Sequence, residues 1–100
     1  MMLKLATESD IASFLDRNAN WSRIDNALSA EFIAPNFVLA IELVNLVAVI
    51  AERMDHHPNI DIRWNRVLFV VSTHSAGGIT SLDYELATAI DLVALELRGS

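Results

Sequence analysis

The sequence predicts an α+β fold, a two-layer sandwich in which a four-stranded antiparallel sheet carries helices on one face, in the order α-β-β-α-β-β-α. Three observations predict it. Two separated stretches repeat their apolar residues every three or four positions, the period of an amphipathic helix, and a third is a long run that is apolar nearly all round. Between them lie two pairs of short segments with alternating or β-branched apolar residues, the pattern of strands. Each pair is joined by a tight polar turn, which makes its two strands antiparallel neighbours. The chain of 100 residues is expected to be a single domain over residues 1–100, because it is too short for two cores.

Thr7 and Asp10 form a capping-box pattern, and Ile11, Phe14 and Leu15 follow at helical spacing, so a short helix is expected over Glu8–Arg17. Asn18-Ala19-Asn20 ends it. Trp21–Ile24 and Leu28–Ile33 then read as two strands around an Asp25-Asn26 turn, with Leu28, Ala30 and Phe32 on one side and Ser29 and Glu31 on the other. Pro35-Asn36 breaks the sheet, and Asn36 is an N-cap for a helix over Phe37–Met54. Only Glu42, Asn45, Glu52 and Arg53 are polar in that helix, so it has more apolar surface than one sheet face can cover and is expected to bury some of it against a partner. Ile60, Ile62 and Trp64 alternate with Asp61 and Arg63 as a half-buried strand, and Asn65-Arg66 is the expected turn. Val67–Val71 is continuously apolar, as in a strand buried on both faces. After a flexible Ser75–Gly78 loop, Thr80 and Asp83 repeat the capping-box pattern ahead of a last helix over Ser81–Leu97, with Leu86, Ile90, Val93 and Leu97 facing the core.

With 53% hydrophobic and 20% charged residues, disorder is excluded, and the apolar excess again points to a homo-oligomer. A net charge of -6 with only seven Lys and Arg argues against nucleic acid as a partner. The absence of cysteine removes disulfides and thiolate catalysis. The segment Met1–Glu8 turns polar too early for a signal peptide, so a cytoplasmic protein is expected. Phe37–Met54 is apolar enough to raise a membrane span, but Glu42 and Asn45 in its middle argue against one.

The candidate chemistry lies in three histidines, expected to share one pocket. His56 and His57 stand where the long helix stops, and Pro58 forces His57 into extended backbone, so the two rings diverge. Glu52, four residues before His56, lies on the same side of the last turn and is its expected carboxylate partner. His74 ends the fourth strand, with Asp83 as its candidate partner across the glycine loop. Imidazoles without a thiol or an activated serine suggest acid–base chemistry. Other readings compete: a histidine at a helix C-terminus can simply complement the helix dipole, and Asp83 fits the Thr80 capping box. Three histidines can also hold zinc, but no familiar zinc spacing is present and no metal is expected. Trp21, Trp64 and Phe32 are most simply core residues.

Glu52, three residues, His56-His57-Pro58, five residues, Trp64, nine residues, His74, eight residues, Asp83 resembles the signature of the pterin-4a-carbinolamine dehydratases, over about Trp21–Leu95. The resemblance implies four antiparallel strands with helices on one face. It implies a hydro-lyase that converts 4a-hydroxytetrahydropterin to the quinonoid dihydropterin, in tetrahydrobiopterin recycling, after an aromatic amino acid hydroxylase has used the reduced pterin. No metal or bound cofactor is implied, the pterin being the substrate. It implies a homodimer or homotetramer built through the second strand and the long helix. Of the three catalytic histidines, it points to His56 and His74 as the acid–base pair and to His57 mainly as a holder of the pterin. Asp55, Pro58, Thr73, Ser75 and Ala76 match substrate-lining positions, and Glu52 and Asp83 orient the imidazoles. One departure is Phe32-Ile33-Ala34-Pro35-Asn36-Phe37, where relatives carry Phe-x-Phe-x-x-Phe. The alternative is a non-catalytic dimerisation or assembly factor on the same scaffold.

Overall fold

The computed structural model describes residues 3–99; Met1 and Met2, at the head of the segment inspected for a signal peptide, lie outside the described residues. Seven main elements follow in the expected order: α1 (Glu8–Arg17), β1 (Ser22–Ile24), β2 (Ala27–Ile33), α2 (Phe37–Met54), β3 (Asn59–Arg63), β4 (Arg66–Val71) and α3 (Ser81–Gly99). The sheet runs β1-β2-β4-β3 and every pairing is antiparallel.

Local chemistry starts and stops these elements where the sequence says it should. Thr7 Oγ1 accepts the Asp10 N–H at 3.0 Å while Asp10 Oδ2 accepts the Thr7 N–H at 3.2 Å, a complete capping box on α1. Asn36 Oδ1 accepts the Leu39 N–H at 2.9 Å and opens α2. The central pair β2–β4 sets the core: Leu28, Ala30 and Phe32 stand opposite Val71, Phe69 and Val67, and all six are buried. Ala40, Leu43, Val47 and Ala51 of α2 and Leu86, Ala87, Ile90 and Ala94 of α3 close over that face. Burying one such large side chain contributes roughly 1.5–3 kcal/mol, so this face holds the sandwich together.

Three expectations are corrected. The continuously apolar β4 is not buried on both faces: Leu68 and Val70 are only half-buried, because the second face of the sheet carries no helix. Trp64 is not a core residue but forms the β3–β4 turn with Asn65, at φ 55° and 73% exposed. The loop after β4 contains a 3-10 turn, His74–Ala76, closed by a bridge between Thr73 and Gly78. On α2, Phe37, Val38, Leu46 and Val49 remain exposed, the apolar excess that its composition foretold. No helix among the described residues is long and apolar enough to cross a membrane.

Candidate active site

The site is organised by the end of α2. Asp55 takes the left-handed conformation, φ 51° and ψ 43°, which Asp tolerates better than most residues. Its N–H bonds to the Glu52 carbonyl at 3.2 Å, and the His56 N–H to the Ala51 carbonyl at 3.0 Å, so the last turn is closed before the histidines begin. Pro58 then prevents further helix and β3 starts at Asn59.

From that turn the two imidazoles go opposite ways. His56 points into the protein, where its Nε2 lies 2.7 Å from Asp83 Oδ1; its side chain is 9% exposed and that of Asp83 is 0%. The other Asp83 oxygen accepts the Thr73 hydroxyl at 2.8 Å and the Thr80 N–H at 2.9 Å. Since the Thr73 O–H already donates to Asp83, the 2.8 Å contact between Thr73 and Thr80 has Thr80 as donor, and Thr80 Oγ1 in turn accepts the Leu82 N–H at 3.2 Å. Each side-chain atom of Asp83, Thr73 and Thr80 named in this hydrogen-bond network has a partner. His57 points outward. Its Nε2 lies 2.5 Å from Glu52 Oε2, with side chains 54% and 76% exposed.

His57 and His74 share one open cleft of about 300 Å³. Its floor is the helix-free face of the sheet, with Asn59 and Val70 paired across β3 and β4 and Ala27 and Ser72 beside them. The β1–β2 turn, Ile24 to Asn26, is the far wall. A larger groove of about 660 Å³ separates α1 from the start of α3, lined by Asp10, Arg17, Tyr84 and Glu85 among others. It holds no histidine, and we locate the site at the smaller cleft, where two imidazoles converge.

The three rings therefore do not share one pocket, and the expected pairings are exchanged. Glu52 binds His57 instead of His56, and Asp83 binds His56 instead of His74. The cause is the left-handed Asp55: helical spacing stops at Met54, so four-residue neighbours no longer align past it. Asp83 does both jobs expected of it, accepting the Thr80 N–H as a cap and holding an imidazole. Asp55, Pro58, Ser75 and Ala76 flank the rings along the chain without lining the cleft, and Thr73 belongs to the buried network. The cleft brings in Asp25, Asn26, Asn59 and Ser72, which sequence reasoning did not assign. The Asp25-Asn26 turn was legible as a turn, but only the β2–β4 pairing sets it opposite the histidines. Among the described residues no group of three His, Asp or Glu converges as a metal site.

The class of protein is a one-sided α+β sandwich with a buried His–Asp pair behind a cleft that two further imidazoles line. The chain belongs to the pterin 4 alpha carbinolamine dehydratase family, whose sequence model matches residues 4–93. A Nocardia farcinica protein provisionally named pterin-4-alpha-carbinolamine dehydratase is 46% identical over 94 residues, covering 94% of this chain and 99% of that protein. A Chloroflexus aurantiacus protein of the same provisional name is 46% identical over 85 residues, 85% of this chain and 91% of its own. A crystal structure described as a transcriptional coactivator/pterin dehydratase from Brucella melitensis superposes with a TM-score of 0.88 at 31% identity, covering 91% of this chain and 99% of that one.

Proposed function

We propose that this chain is a hydro-lyase that removes water from a 4a-hydroxytetrahydropterin to give the quinonoid dihydropterin, with its own histidines moving both protons. The observation that carries the reading is the cleft onto which His57 and His74 both open, with room for a bicyclic ring between them. His57 is the acid. It gives a proton to the oxygen on C4a, the C4a–O bond breaks with its electron pair, and water leaves. His74 is the base. It takes the N5 proton, and the N5 pair forms the C4a=N5 double bond. Glu52 supplies the countercharge for a protonated His57 and fixes its ring. This reverses the division between His56 and His57 that the resemblance implies, because His56 is committed to Asp83 and acts as a positioning residue. The substrate is the hydroxylated pterin left by an aromatic amino acid hydroxylase, and the reaction serves pterin recycling in the cytoplasm.

Association of copies through β2 and α2 belongs to the same reading: β1 pairs only with Ala27–Ser29, leaving the rest of that β2 edge open, and α2 separately carries an exposed apolar face. The test is direct assay of carbinolamine dehydration by purified protein. His57→Ala and His74→Ala are each expected to lower turnover by about two or more powers of ten, while sedimentation shows the same oligomer as the unaltered chain. Full activity in both variants sinks the acid–base assignment, and a purely monomeric chain sinks the association. A second reading, a non-catalytic assembly role, is favoured by the coactivator description of the Brucella melitensis neighbour. It predicts no dehydration by the unaltered protein.

A further inference from the structure

The wall of the cleft opposite the histidines is the β1–β2 turn, and its construction goes beyond what a loop connecting two strands requires. Asp25 holds φ 52°, a left-handed conformation that costs a non-glycine residue of order 1 kcal/mol. The surroundings hold it there. Arg23 Nε donates to the Asp25 carbonyl at 2.9 Å, and Arg23 is itself anchored to Glu8 of α1 at 2.6 Å. Asn26 is seated against Gly78: a Cβ added to that glycine would stand 3.8 Å from the Asn26 Cβ and 3.1 Å from a Leu5 methyl. The turn thus reaches α1 through an exposed ion pair on one side and packs against the loop after His74 on the other, and an element held by packing recognises a ligand with less ordering cost than a free loop.

The chemistry of the cleft narrows the ligand edge that fits. No Lys or Arg lines it, the two imidazoles are given to proton transfer, and the one acidic residue in its lining is Asp25. A carboxylate is complementary to two parallel N–H donors, as on a cyclic amidine. We propose that Asp25 is the specificity-determining residue of the site, its carboxylate accepting both the N3–H and the 2-amino N–H of a 2-amino-4-oxo pyrimidine ring, with Asn26 beside it. This rests on the dehydratase reading for the identity of the ring. It deepens that reading by assigning recognition to the hairpin and proton transfer to the histidines.

Asp25→Asn tests it, because asparagine tolerates the left-handed conformation at least as well as aspartate and so keeps the turn. Asparagine offers one acceptor and one donor, which match the N–H and C=O of a 2-oxo ring and not the two donors of a 2-amino ring. The measurement is binding of 7,8-dihydropterin and of its 2-oxo counterpart, 7,8-dihydrolumazine, to the unaltered protein and the variant, alongside KM for the carbinolamine. The unaltered protein is expected to prefer the 2-amino ring. The variant is expected to bind it about ten- to a hundredfold more weakly and to lose at least tenfold of the preference over the 2-oxo ring. A variant that keeps the full preference, or that weakens both ligands alike, overturns the proposal. Failure of the dehydratase reading looks different: the unaltered protein would then bind neither ring and turn over no carbinolamine.

Discussion

Two histidines that are neighbours in sequence have been given opposite circumstances. His56 and His57 each hold a carboxylate through Nε2, at 2.7 and 2.5 Å. Yet the first pair is sealed in the interior with side chains 9% and 0% exposed, and the second stands in solvent at 54% and 76%. A contact between the same two kinds of group therefore does different work. In the interior, polar groups must be paired because water cannot replace a lost partner, so the His56–Asp83–Thr73–Thr80 chain is a strut joining the end of α2, the end of β4 and the start of α3. On the surface water competes for every bond, so the Glu52–His57 pair adds little to stability.

The largest effect is expected from breaking the interior pair. Asp83→Ala deprives His56, Thr73 and the Thr80 N–H of their acceptor at once, all in a place that water does not reach. Removing one member of a buried pair costs about 3–5 kcal/mol, a large part of what a domain of this size has available. Urea unfolding monitored by the two tryptophans measures it, and the loss should appear as a lower midpoint at constant slope. A loss below about 1 kcal/mol would show that the interior pair is no strut and that the contrast with the surface pair is false.

The matching change at the surface should separate activity from stability. Glu52→Gln keeps the shape of the side chain and removes its charge. Exposed ion pairs contribute about 0–1 kcal/mol, so unfolding is expected to move by less than about 0.5 kcal/mol. Turnover is expected to fall about fivefold, the effect of roughly 1 kcal/mol on the barrier, because His57 loses the countercharge for its protonated form. Added salt should lower the turnover of the unaltered protein toward that of the variant, since screening acts on exposed charges first. Destabilisation comparable to that of Asp83→Ala would mean that the two pairs are alike after all.

That contrast was only partly legible in the sequence, and the reason is geometric. Capping residues and apolar periods act over three or four positions, so Thr7, Asn36 and the spacing of Ile11 with Phe14 define α1 and the start of α2 without any knowledge of the fold. The spaced Glu52, His56, His57, His74 and Asp83 likewise mark the candidate residues. Which carboxylate meets which imidazole was not legible, because it depends on a single backbone conformation at Asp55 that turns His56 inward. The burial of β4 was misjudged for a related reason: a strand of Val, Leu and Phe looks the same whether one or both of its faces is covered, and only the placement of all three helices decides it. Asp25 and Asn26 show the limit most clearly, being remote in sequence from every histidine and brought to them by strand pairing alone.

The smallest expected effect concerns the residue next to Asp83, and it tests whether partners, more than burial itself, make the interior network strong. The Tyr84 hydroxyl oxygen is buried with no hydrogen-bond partner, while the Tyr84 ring stacks on Phe14 with centroids 4.7 Å apart. Burial chiefly, and then the carboxylates of Asp10 and Asp83, push its ionisation above the ordinary phenol range. An unpartnered buried hydroxyl gives nothing back for its lost hydration, so Tyr84→Phe is expected to be neutral or to stabilise by up to about 1 kcal/mol, the opposite sign to Asp83→Ala one residue away. The pH dependence follows from the direction of the shift. Because Tyr84 ionises at higher pH in the folded chain than in the unfolded one, its contribution is fully present below about pH 10 and is lost as the pH rises through the folded value. The unaltered protein should therefore lose stability relative to Tyr84→Phe on going above that pH, and its tyrosinate absorbance, which comes from the one tyrosine in the chain, should appear late in a titration of the folded protein. If Tyr84→Phe instead costs 1 kcal/mol or more at neutral pH, the hydroxyl has a partner in solution, and the groove between α1 and α3 holds it.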